Sequence, residues 1–194
     1  MNEIYANYDE PWKEAVGEYF DSVLNFFFQN VYDLIDWTKK LIALDKELQK
    51  ITADSQDGKR FVDKLFQVWL KDRQEVWILI HIELQSQQDG DFSQRMFIYH
   101  YRAFDLYRHP VVSLAILGDD TKSWRPSNYS YDLGGCKLNL DFPTIKLLDY
   151  KSNWAELESN LNPFALMIRA HLKTKETTGN LTERGKMLNY KTFY

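Results

Sequence analysis

The 194 residues suit one domain with its own core, and a content of 44% hydrophobic and 15% aromatic residues excludes a chain disordered over most of its length. The formal net charge of −4 argues against a protein that wraps DNA on a broad basic surface, while leaving room for a local contact patch. The single cysteine, Cys136, excludes an internal disulfide and a cysteine-rich zinc site, and suits a reducing, cytoplasmic setting.

Met1 to Asp9 carries no basic segment leading into an apolar run, so no signal peptide is expected. Apolar stretches such as Trp77 to Ile82 are too short to span a bilayer, so no membrane partner is expected. Trp12, Ala15, Val16, Tyr19, Phe20, Val23, Leu24 and Phe27 recur at helical spacing and predict an amphipathic helix over 11–29, with Asp9 as its N-cap. Phe26, Phe27 and Phe28 read as core or as an oligomer contact. Leu41, Ile42, Leu44 and Leu48 predict a second helix over 38–51, followed by a polar loop from Thr52 to Lys59.

The period then changes. Phe61 to Leu70 and Glu75 to Gln85 are rich in Val, Ile, Leu, Phe and Trp and of strand length, with Lys71 to Gln74 as the turn of a hairpin. Asp91, with Gln94 three residues on, resembles a capping box that opens a helix over 92–107, which stops before Pro110. Val111 to Leu117 reads as a buried strand, and a helix leading into it fits a mixed or parallel sheet. Tyr129 to Leu133 and Cys136 to Leu140 suit a hairpin around Gly134-Gly135. Asn162-Pro163 opens a helix over 163–175. The polar tail, 176–194, is expected to fray or to be a truncated element. No repeat or linker divides the chain, so residues 1–194 are read as a single mixed α/β domain with one central sheet.

Along Glu75 to Gln85, Val76, Ile78, Ile80, Ile82 and Leu84 alternate with Trp77, Leu79, His81, Glu83 and Gln85. The first set is wholly aliphatic and belongs to the core. The second turns polar toward its end, and a carboxylate in so hydrophobic a strand needs a cation, a proton or a metal. Its relation to Asp63 depends on the turn. A two-residue loop pairs Lys71 with Gln74 and sets Asp63 opposite Ile82; a three-residue loop pairs Lys71 with Glu75 and sets Asp63 opposite Glu83. The second register is predicted, because it also aligns Phe66, Val68 and Leu70 with Ile80, Ile78 and Val76. Two neighbouring carboxylates repel unless a divalent cation lies between them, and Mg²⁺ prefers such oxygen ligands. The other reading is an ion pair with a local base such as Lys64.

Phe61-Val-Asp-Lys-Leu-Phe-Gln-Val-Trp-Leu-Lys-Asp72, Ile80-His-Ile-Glu-Leu-Gln-Ser-Gln87 and Arg95-Met-Phe-Ile-Tyr-His-Tyr-Arg102 follow in an order that resembles the PD-(D/E)XK nucleases, and the Rpn family of recombination-promoting nucleases and transposases in particular. Leu34 to Trp37 and Leu44 to Gln49 add to the resemblance, which runs from about Tyr8 to Glu176. It implies a restriction-endonuclease-like core: a central mixed sheet with flanking helices and C-terminal additions. It also implies a DNA endonuclease dependent on Mg²⁺ or Mn²⁺, with DNA as partner and a homodimer as the assembly. By that resemblance Asp63 and Glu83 hold the metal, and Gln85 stands where the family has lysine, orienting the attacking water without bringing a charge. A further acid would come from the first helices, with Asp9, Glu14 and Glu47 as candidates.

Arg95 and Arg102, seven residues apart on one helix, read either as phosphate contacts or as a solvated face with Asp91 and Asp105 as partners. His81 reads as a half-buried histidine bonded to a neighbour. Arg169, His171, Lys173, Lys175, Arg184, Lys186 and Lys191 make the C-terminal region basic, as a solvated helix end or a phosphate patch. Cys136 has no evident activator. Besides the enzyme, the residues admit a decayed relative that only binds DNA or protein, and an assembly protein built on the aromatic first helix.

Overall fold

The computed structural model describes residues 9–44, 46, 62–72, 75–83 and 90–176, with backbone alone for 9–10, 62–63 and 75–83. The expected first helix is three: α1 (Asp9–Glu18), α2 (Phe20–Phe27) and α3 (Gln29–Tyr32). Tyr19 and Phe28 leave helical geometry, with φ −117°, ψ 48° and φ −135°, ψ 54°. Phe27 and Phe28 are both buried at the second break, and the Phe28 N–H still donates to the Leu24 carbonyl (2.8 Å). The core reading of these phenylalanines holds, with Phe26 stacked on Tyr150 at 5.6 Å.

The helix expected over 38–51 is not what its described part forms. The Asp36 carboxylate accepts from the Thr38 backbone N–H and hydroxyl (3.1 and 2.6 Å) and so closes a turn. These bonds hold its pKa below the usual carboxylate range. Strand β1 (Ile42–Ala43) follows, antiparallel to β2 (Val62–Trp69) through Gln67 and Phe66.

Strand β2 pairs with β3 (Glu75–Glu83), but Asp63 lies opposite His81 and not Glu83. The predicted register is therefore two residues off, with its parity kept. The hairpin ladder ends at Trp69 with Glu75, so residues 70–74 make a longer connection than the expected three-residue loop. On the other edge of β2, the one that pairs with β1, Leu70 bridges Ile35, Asp36 N–H donates to the Trp69 carbonyl (2.8 Å), and Lys71 N–H donates to the Leu34 carbonyl (2.9 Å).

Helix α4 (Phe92–Tyr107) then crosses over to β4 (Val111–Leu117), parallel to β3. Asp91 occupies the N-cap position without a side-chain cap bond, so the capping box is not formed. Arg108, at φ 57°, ends the helix in left-handed backbone ahead of Pro110. Strands β5 (Asn128–Leu133) and β6 (Cys136–Asp141) make a separate hairpin, with both turn glycines at positive φ (60° and 85°). Strand β7 (Thr144–Lys146) returns parallel to β4. A 3-10 segment (Leu147–Asn153), α5 (Trp154–Ser159) and α6 (Pro163–Glu176) complete the described chain.

The product is a mixed five-stranded sheet in the order β1-β2-β3-β4-β7, between helical layers. On one side Trp12, Val16, Phe20, Val23 and Leu24 of α1 and α2, with Phe164, Ile168 and Leu172 of α6, bury Phe66, Val68, Leu114 and Ile116. Each such side chain contributes roughly 1.5–3 kcal/mol. On the other side α4 sets Tyr99 and Ala103 on Leu65, and Phe92 and Met96 on Ala115 and Leu117. Among the described residues no helix is long and apolar enough to cross a membrane.

Candidate active site

Strand parity assigns the acidic positions. On β2, Leu65 packs toward α4 while Phe66 and Val68 pack toward α1 and α2; on β4, Ala115 and Leu117 pack toward α4. Asp63 shares the alternation of Leu65. The ladder joins Asp63 to His81, His81 to Ala115, and Glu83 to Leu117. Asp63 and Glu83 therefore hold positions on the same, α4-covered face, as diagonal neighbours across β2 and β3. Such neighbours are about 7–8 Å apart and within reach of long side chains. Both lie toward the end where β3 and β4 terminate. Gln85 and Glu47 fall outside the described residues.

Lys64 is one position out of step with Asp63, and a β carbon on Gly17 of α1 would lie 3.3 Å from its Nζ. Its ammonium thus lies close to α1. Glu14 is exposed on that same helix, beyond the opposite face of the sheet. Asp9 is the first residue of α1 rather than a residue before it.

Arg95 and Arg102 do occupy α4, but not as a solvated pair. Arg95 is buried, its Cζ 5.8 Å from the Phe92 ring centroid, and Arg102 is half-buried. The reason is the stripe they share. Arg95 lies one turn before Tyr99, the residue that packs on Leu65, so the apolar face of the helix takes the arginine with it. Asp105 pairs instead with Arg108, at 2.8 Å.

A charged pair that sequence reasoning missed lies beside this end of the sheet. Glu83, Leu117 and Lys146 stand in register across β3, β4 and β7. The Lys146 ammonium pairs with Asp119, and both side chains are sealed from solvent. It also donates to the Trp124 carbonyl (3.1 Å) and lies 5.4 Å from the ring of that residue. Asp119 in turn accepts from the Thr121 N–H at 2.8 Å. A signal for it exists in the sequence: Asp119 closely follows a buried apolar strand, the same kind of setting that singles out Glu83.

On α4, Nδ1 of His100 lies 2.9 Å from the Ser113 hydroxyl, and burial pushes the imidazole pKa down. Ser113 is itself buried, so this contact ties helix to sheet and offers no open nucleophile. Of the C-terminal basic group, His171 is buried, with Nε2 donating to the Gly118 carbonyl (2.9 Å). Lys173 and Lys175 pair with Glu176 and Asp120. The described part is therefore a helix end with local partners rather than a phosphate patch; Arg184, Lys186 and Lys191 lie outside the described residues. Among the described residues no three His, Cys, Asp or Glu side chains cluster as metal ligands.

Fold and site together define a mixed α/β protein with two acidic positions on one face of a partly parallel sheet. No family model, curated protein or solved structure matches the chain.

Proposed function

We propose that this chain is a divalent-metal-dependent DNA endonuclease with a restriction-endonuclease-like core, related to the recombination-promoting Rpn nucleases it resembles. One observation carries the reading. A helical segment, three antiparallel strands, a crossover helix and a parallel strand follow in that order, and Asp63 and Glu83 occupy the same face of the central hairpin. Two oxygen-donor residues at diagonal positions suit Mg²⁺ or Mn²⁺. Asp63 and Glu83 would hold the ion, which when bound supplies an activated water and charge neutralisation at a phosphodiester. Gln85 would orient that water through its amide. Arg102 would contact the DNA backbone, with Arg95 acting from inside the layer. Cutting both strands with one site per chain favours a homodimer.

A second reading has its own support. Gln85 brings no charge where the resembled family has lysine, and Arg95 is buried rather than displayed. Both favour a relative whose site has decayed and which retains only binding.

The test is cleavage of supercoiled plasmid with Mg²⁺ or Mn²⁺ by the wild type, Asp63→Ala and Glu83→Ala. Nicking by the wild type that both variants lose, with unchanged circular dichroism, is the expected result. An inactive wild type, or three equally active proteins, moves the assignment to the binding-only relative.

A further inference from the structure

Helix α4 crosses the sheet from one strand to another. Its first turns set Phe92 and Met96 with Ala115 and Leu117 of β4, while Tyr99 and Ala103 reach Leu65 of β2. Strand β3 lies between those two strands. The ladder puts Leu79 beside Leu65, His81 beside Ala115 and Glu83 beside Leu117, so these three hold the α4-covered positions of β3. Arg95 stands on the helix between the β4 contact of Phe92 and the β2 contact of Tyr99. Its Cζ lies 5.8 Å from the Phe92 ring centroid, so the guanidinium leans toward the end of α4 that packs on Leu117. Glu83 is in register with Leu117, and Asp63 with His81, at that same end.

A guanidinium keeps its charge at any ordinary pH, and Arg95 is only 7% exposed. A charge so placed needs an anion beside it. The acids of its own helix do not suit. Asp91, one turn before Arg95, is exposed, and Asp105 pairs with Arg108. Asp119, near the same rim, is matched by Lys146. The acidic positions on the face that α4 covers are Asp63 and Glu83, two carboxylates that repel each other without a cation between them. We infer that Arg95 is a positioning residue whose guanidinium is the fixed counter-charge of Asp63 and Glu83. Its planar fork of donors can serve two carboxylates at once. The pair is thereby held together before any divalent ion arrives. Only that catalytic consequence rests on the nuclease reading, and it gives Arg95 a task other than DNA contact.

The test is urea unfolding of the metal-free full chain from neutral to mildly acidic pH. It compares the wild type, Arg95→Met, Arg95→Lys, the amide pair Asp63→Asn with Glu83→Gln, and that pair combined with Arg95→Met. Arg95→Met should lower the midpoint most at neutral pH. The loss should shrink as falling pH protonates the two acids, and Arg95→Lys should recover part of it. In the amide background Arg95→Met should no longer lower the midpoint. A packing role alone predicts a loss that neither pH nor the amides change, and that result overturns the proposal. The amide pair gives a second sign should Arg95→Met fail to fold. It destabilises the chain if it strands the Arg95 charge, and stabilises it if it only removes two like charges, which overturns the proposal. Plasmid cleavage is read separately. Coupling without cleavage keeps the pairing and removes the nuclease reading, and cleavage without coupling does the reverse.

Discussion

Lys146 and Asp119, 27 residues apart, form an ion pair with side-chain exposures of 1% and 0%. It clamps the segment after β4 onto β7, and Trp124 closes over it. Removing one partner leaves the other charged in a dry interior, at a cost of roughly 3–5 kcal/mol. Lys146→Met and Asp119→Leu should each lower the urea midpoint steeply. The double variant should recover much of the loss, because no orphan charge remains. Additive losses in this cycle would show that the two residues are not coupled.

His171 predicts a pH dependence. Burial pushes its imidazole pKa below the ordinary 6.5, more than the bond to Gly118 and the nearby Asp120 raise it, with Lys175 adding to the decrease. A carbonyl only accepts, so Nε2 carries the proton of the neutral ring. The unfolded chain then binds a proton that the folded chain resists. The stability is complete above the unfolded value and is lost as pH falls from there toward the lower folded value. His100 acts in the same direction. His171→Gln should flatten the stability–pH curve between neutral and mildly acidic pH; an unchanged slope would contradict the assignment.

Gly134 and Gly135 both need positive φ, which a side chain makes costly by about 1–2 kcal/mol per residue. Alanine at either position should destabilise the protein by that amount, whereas Gly134→Asn should be tolerated, since Asn-Gly suits the same turn. Neither position has a neighbour within 4 Å of an added β carbon, so backbone strain alone is tested.

Asn162 caps α6 with one end of its amide and reaches α2 with the other. Its oxygen accepts from the Phe164 N–H (2.9 Å), and its nitrogen donates to the Ser22 carbonyl (3.0 Å). Asn162→Ala should cost about 1–2 kcal/mol. Asn162→Asp keeps the cap but loses the second bond, so it should fall between. Equal losses in the two variants would put the whole effect on the contact with α2.

The elements bounded by strong local signals were legible. The helix over 92–107, the strand over 111–117 and the helix opened by Asn162-Pro163 appear where periodicity and punctuation place them. The Gly-Gly hairpin extends one residue further at each outer end. The misses share a non-local cause. Ile42 and Ala43 become strand because β2 offers them an edge. The Asp63 register follows a ladder that ends at Trp69 and Glu75, across a longer connection than the local turn residues indicate. Strand β7 is three residues long and ends in a lysine whose partner lies far back in the chain. For the candidate site, alternation along β3 sets Glu83 apart, and an odd loop puts Asp63 on its face. The diagonal offset between them lies beyond local reading.

Strands β3, β4 and β7 run parallel and point the same way, so the chain departs from Glu83, Leu117 and Lys146 along a single rim. The stretch after β4 is held there by the buried Asp119–Lys146 pair, so chain changed beyond that clamp leaves ladder and clamp intact. Diversity introduced past the clamp would gather on one margin, which makes this rim the natural one to vary when selecting for a new ligand.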